Sequence, residues 1–276
     1  MRSTLAMLRK EWIENPLVTR IPLFMFACGT LLFISLISSS TLQHDMFFQM
    51  SFSGDVSDIH KELGDDVNML ITGGVGLLSI LLGTQYFPRT LRKERLEGSV
   101  MFWRSMPVSD VKTHLVKLMF GLLVIPLVCS LLVLSADLML WVLNLSTEHQ
   151  LALLYRQASL GYVLLNWIEF LLRMIVAGIL LLPFALTAMA VSQKVKSPLL
   201  ILLIAIYTLR WMPIALFNYD GLDQFFSKVF YLPLHSILAP NPFSALPEAG
   251  WLNVSVYIIA GVIAWIVNLR LSRTIN

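Results

Sequence analysis

Six stretches of this chain carry almost no charge, and each is long enough to cross a lipid bilayer. Asp, Glu, Lys and Arg are absent from residues 21–44, 67–88, 118–136, 174–193 and 249–269. A sixth stretch, residues 195–219, holds only Lys196 and Arg210. A helix needs about 18–20 residues to span about 30 Å of hydrocarbon. Buried helices of water-soluble proteins rarely run so far without a charge. Composition agrees: 57% of the 276 residues are hydrophobic and 13% charged, against about 45–50% and about 25% in a soluble domain. The expected fold class is an all-α polytopic membrane protein with six transmembrane helices and an N-terminal interfacial helix. It forms a single transmembrane domain over residues 1–276.

The first apolar stretch follows a basic region (Arg2, Arg9, Lys10, Arg20) and invites comparison with a signal peptide. Its apolar core is too long and lacks an A-x-A site, so it reads as a retained helix. Orientation follows from the basic residues. The N-terminus, residues 89–117, the turn at 194–196 and the C-terminus hold 15 of the 20 Lys and Arg, whereas the loops at 45–66, 144–162 and 218–248 hold Lys61, Arg156 and Lys228. The positive-inside rule places the first set, and with it both termini, in the cytoplasm of a cell with the protein in its inner membrane. This topology also accounts for the net charge of +3, and no basic–aromatic motif points to nucleic acid.

Residues 4–15 have the pattern of a helix lying on the membrane surface, within an N-terminal interfacial segment at 1–19. Leu5, Leu8 and Trp12 share one face, Arg9, Lys10, Glu11 and Glu14 are polar, and Pro16 ends the helix. Helix one is expected over 21–42. A short amphipathic outer helix follows, with Val56, Ile59, Leu63 and Val67 on its apolar side and a solvated acidic face. Helix two is expected over 67–87, helix three over 115–143, helix four over 164–192 with Pro183 as a kink, helix five to residue 217, and helix six over 251–269. Residues 218–250 read as short helices re-entering the outer leaflet. Residues 88–114 form a cytoplasmic coupling segment: a helical stretch broken at Gly98, a short apolar piece, and a turn after which Ser109 caps helix three. Met101, Phe102 and Trp103 beside arginines read as a docking surface, together with Glu94 and Glu97. An interfacial helix dipping into lipid is the other reading of that piece.

Charges inside a membrane are expensive, roughly 2.5–3.5 kcal/mol each on insertion scales. Asp137 and Arg173 lie about 28 Å and Arg210 about 20 Å from the inner ends of their helices. Glu169 and Arg173 are spaced i, i+4 with the acid first, the favourable order for an ion pair. The four read either as a structural network joining helices three, four and five, or as the lining of an outward-facing polar cavity. Recognisable enzyme chemistry is absent: the sequence contains no G-x-x-x-x-G-K-[ST] phosphate loop, no H-E-x-x-H, no C-x-x-C and no G-x-S-x-G. Cys28 and Cys129 lie mid-membrane as small packing residues, and the five histidines are scattered. No catalytic residue, metal site or cofactor is expected in this chain.

The order of parts resembles the permease subunit of ABC-2 type ABC transporters, the exporter group. The surface helix carries Leu8-Arg9-Lys10-Glu11-Trp12. After helix two come Glu97-Gly98-Ser99 and Trp103-Arg104-Ser105-Met106-Pro107-Val108-Ser109, and a long outer segment precedes the last helix. The resemblance covers essentially the whole chain. It implies a permease that pairs with a second permease chain as a homodimer around a central path in the membrane lipid. It also implies two copies of a separate ATPase subunit, carrying ATP and Mg, docked on the cytoplasmic loop between helices two and three. The competing expectation is a secondary transporter driven by an ion gradient, which favours inverted repeats and midplane charges. No repeat is visible between residues 1–140 and 141–276.

Overall fold

The computed structural model describes residues 2–38, 56–96, 109–146, 159–195 and 197–273. Among them every regular element is a helix. We number these α1 (Arg2–Glu14), α2 (Leu17–Ser38), α3 (Val56–Leu96), α4 (Asp110–Met119), α5 (Ile125–Ser146), α6 (Leu160–Ser192), α7 (Pro198–Phe217), α8 (Gly221–Leu238), α9 (Ala245–Ala249) and α10 (Trp251–Arg273). A single π turn, Phe120–Val124, joins α4 to α5.

Six of the described helical stretches are long and apolar enough to span a membrane: Leu17–Ser35, Val67–Lys93, Asp110–Leu145, Leu160–Ser192, Pro198–Phe217 and Trp251–Ser272. They coincide with the six charge-poor stretches. The expected break between an outer helix and helix two is absent. Residues 56–96 form one continuous helix of 41 residues that passes through Pro88, about 60 Å at 1.5 Å per residue. Helix three begins where its cap predicts. Ser109 Oγ accepts from the Lys112 backbone N–H at 3.4 Å, satisfying one of the first-turn donors of α4.

The cause of the π turn lies two residues beyond it. Pro126 has no N–H to offer the Leu122 carbonyl, and its ring crowds that carbonyl. The helix opens by one residue, and the Ile125 N–H reaches back to the Phe120 carbonyl instead. Gly178 on α6 comes up to the same place: a Cβ there would lie 3.3 Å from the Leu122 oxygen.

The chain divides into two compact units. The first comprises residues 1–15, 79–126 and 173–276. In it α1 packs on α4, and α8 packs on α7, α9 and α10. Leu232, Ala245, Ala249 and Val254 form an apolar cluster joined by Leu180 and Leu246, and residues 218–250 hold α8, of 18 residues, and α9, of five. Gly250, at φ 84°, makes the turn from α9 into α10. Gly261 on α10 packs against Pro183 on α6, with 2.7 Å between a Cβ built there and the proline Cβ. At the basic end of these helices Gln193 donates to the Asn268 side chain at 2.9 Å, and Asn268 donates to the Leu186 carbonyl at 2.8 Å. The second unit comprises residues 16–78 and 127–172. Leu143 packs there with Phe33 and Leu140, and Trp167 donates to Ser130 Oγ at 3.1 Å.

Helix α7 differs from the rest. No residue of its most apolar window is buried by the protein, yet Leu200, Leu203, Ile204, Trp211 and Leu216 are all apolar and exposed. Such a surface is stable only against lipid or another chain.

Candidate functional site

Met7 and Glu11 are one turn apart on α1, and both are buried. The buried face of α1 therefore includes the residue that the sequence places on its polar side, while Leu5 and Trp12 are exposed. The reason is a partner 106 residues away. Lys117 Nζ donates to Glu11 Oε1 at 2.5 Å, with both side chains almost wholly shut off from solvent. Tyr86 and Thr90 are one turn apart on α3, so their hydroxyls share a face. Tyr86 donates to Glu11 Oε2 at 2.7 Å. Thr90 accepts from Lys117 at 2.8 Å and lies 3.2 Å from the same Glu11 oxygen.

A buried charge is tolerated only when paired and hydrogen-bonded. Here the carboxylate receives an ammonium and two hydroxyls, and the site is neutral as a whole. Its floor is aromatic. Tyr86 and Phe120 rings lie 5.1 Å apart and Tyr86 and Phe87 rings 5.5 Å apart, all three buried. The Phe87 ring occupies the space that a side chain at position 121 would fill: a Cβ on Gly121 would be 2.3 Å from Phe87 Cζ. The π turn thus follows directly on the charge cluster, a location where such turns often serve function.

Further contacts hold α1 along its length. Lys112 donates to Ser3 Oγ at 2.5 Å. Lys93 donates to the Glu14 carbonyl at 2.8 Å, and its Nζ is 4.0 Å from the Glu14 carboxylate. Asn15 donates to the Glu11 carbonyl at 2.8 Å and closes the end of the helix. The chemistry of this clasp is mechanical. Its acid and base neutralise each other. What it does is tie one short helix to the two helices, α3 and α4, that bracket residues 97–108.

The residues singled out from sequence fare differently. Glu97, Met101, Phe102 and Trp103 lie outside the described residues, as does the side chain of Glu94. Asp137 is fully buried and accepts from Asn166 at 2.7 Å, while Asn166 also donates to Asn68 at 2.9 Å. Arg173 donates to the carbonyls of Ile237, Ala239 and Pro240 at and beyond the end of α8, where a cation complements the helix dipole. Arg210 is bound by Asp223, 2.6 Å from its Nη2 and 2.7 Å from its Nε. Glu169 is exposed. Asn166, the carbonyls after α8 and Asp223 are thus partners of Asp137, Arg173 and Arg210 respectively, and none of them was among the residues expected.

Sequence reasoning missed the clasp. Glu11 reads as one more solvated acid, and Lys117 as a loop charge that sets topology. The usable signal is Tyr86 and Thr90, two hydroxyls at helical spacing beside the end of an apolar run, with Lys117 entering the next run after only Leu115 and Val116. No protein-family model, no curated protein and no solved structure matches the chain.

Proposed function

We propose that this chain is the membrane-spanning permease subunit of an ATP-binding cassette exporter. It lies in the inner membrane with both termini in the cytoplasm, pairs with a second copy, and is driven by two separate ATPase subunits. The reading rests on the sequence motifs around residues 97–109 and on six spans of adequate length. The observation that carries it furthest is the clasp. A loop that receives force from a nucleotide-driven partner needs a stiff seat, or the displacement is lost in local bending. Glu11 binds both helices that lead into and out of this loop. Such a seat has no evident use for a loop that merely connects two spans.

The test is to co-express the chain with an ATPase encoded beside it and measure co-purification and hydrolysis in proteoliposomes. Glu97→Lys and Trp103→Ala weaken assembly or uncouple hydrolysis from transport. If both variants bind and hydrolyse as wild type, the docking site is elsewhere. If the purified chain recruits no ATPase and transports under an ion gradient alone, the proposal fails.

One observation favours the second reading, an ion-gradient-driven transporter. Asp137 is a fully buried carboxylate within a spanning stretch, the kind of group that carries protons or cations through membranes. Asp137→Asn abolishes ion coupling under that reading and leaves ATP-dependent transport intact under the first.

A further inference from the structure

Arg89, Arg92 and Lys93 stand on one face of α3, at spacings i, i+3 and i+4. Like charges so spaced repel one another and weaken the helix. Lys93 is relieved by Glu14. Neither Arg89 nor Arg92 has an ion pair among the described residues. Both, with Lys93, line a cavity of about 480 Å³ that is also lined by the first turn of α7, Pro198, Leu199 and Leu200. The cavity is therefore cationic on one wall and apolar on the other.

The apolar wall continues along α7. Leu200, Leu203, Ile204 and Tyr207 recur at i, i+3, i+4 and i+7, all more than half exposed. The cationic wall sits at the end of the candidate span Val67–Lys93, and basic residues at the ends of spans meet lipid phosphates. We propose that this cavity binds the phosphate headgroup of an anionic phospholipid. Arg89 and Arg92 hold the phosphate, and an acyl chain runs along the Leu200–Tyr207 face. Guanidinium groups suit the task because they donate two parallel hydrogen bonds to phosphate oxygens. Free phosphate offers the same oxygens but makes no use of the apolar wall, so the lipid is the occupant that fits both halves.

The experiment is a thermal-shift titration of the purified full chain in detergent. Its probes are phosphatidylglycerol, phosphatidylcholine and inorganic phosphate. Phosphatidylglycerol raises Tm saturably, and the other two do not. Arg89→Gln/Arg92→Gln weakens the apparent affinity for phosphatidylglycerol roughly 30-fold, as two surface arginines should. Leu200→Trp, which fills the apolar side and leaves every charge in place, also weakens it, and carries the test alone if the double variant does not fold. Arg9→Gln/Arg20→Gln removes as many positive charges elsewhere and changes nothing. The proposal is overturned if this last variant weakens binding as much as the first, or if neither the arginine variant nor Leu200→Trp affects it. A full response to phosphatidylcholine or to inorganic phosphate overturns it as well.

Discussion

The Glu11 carboxylate and the Lys117 ammonium meet at 2.5 Å, joining the first helix of the chain to a helix that begins about a hundred residues later. With Thr90 and Tyr86 around them, neither charge has recourse to water. Removing one member leaves the other buried and uncompensated, at about 3–5 kcal/mol. Glu11→Ala should therefore lower Tm sharply, and Glu11→Ala/Lys117→Met should recover much of the loss. Thermal unfolding of the two single variants and the double one gives the coupling directly. Additive losses would mean that the pair does not act as a unit.

Gly121→Ala places a methyl group inside the Phe87 ring edge. Phe87 is fully buried and has nowhere to swing, so overpacking should cost about 1–3 kcal/mol. Shortening the obstacle reverses the effect: Phe87→Leu should be destabilising alone but better tolerated in the Gly121→Ala background. The same unfolding assay reads both.

Gly261 and Gly74 should respond in opposite ways to the same change. At Gly261 the new Cβ meets Pro183, including backbone Cα at 2.9 Å, which cannot be moved by a rotamer change. At Gly74 it meets nothing within 4 Å. Gly74→Ala should be neutral or stabilising by about 0.4–1 kcal/mol through the unfolded state. Gly261→Ala should reduce Tm and the yield of folded protein.

Arg173 serves carbonyls that its long guanidinium reaches from two nitrogens. Arg173→Lys keeps the charge but not that geometry, so it should lose stability nearly as Arg173→Ala does. Combining Arg173→Ala with Glu169→Ala decides how far the i, i+4 pair matters. Rescue by the second change would show an ion pair dominating, and no rescue would show that the carbonyl contacts dominate.

The spans were legible because charge-free length is a one-dimensional property, and insertion into lipid depends on it directly. Ser109 was legible as a cap for the same reason: its role is settled within three residues. The continuity of α3 through Pro88 was not, since proline is read locally as a stop and a neighbouring helix can hold the chain helical across it. The clasp was the least legible. Whether Glu11 faces water or Lys117 depends on a contact between residues 106 positions apart, and helical periodicity treats any acid as belonging outside. Arg210 illustrates the same limit. Depth alone grouped it with Asp137, but its partner Asp223 stands in the first turn of α8, which follows the reversal at Asn218, φ 50°.

The π turn has a consequence for how this protein can change length. Elsewhere in a helix, losing one residue rotates everything downstream by about 100°. Between Phe120 and Val124 the helix already holds one residue more than an α-helical turn requires. With Pro126 replaced by a residue that can donate its N–H, deleting one residue there converts the wide turn to a regular one and leaves the phase of the helix on either side unchanged. The phase of the helix is thus buffered against the loss of one residue where the buried charges and the membrane-spanning run adjoin.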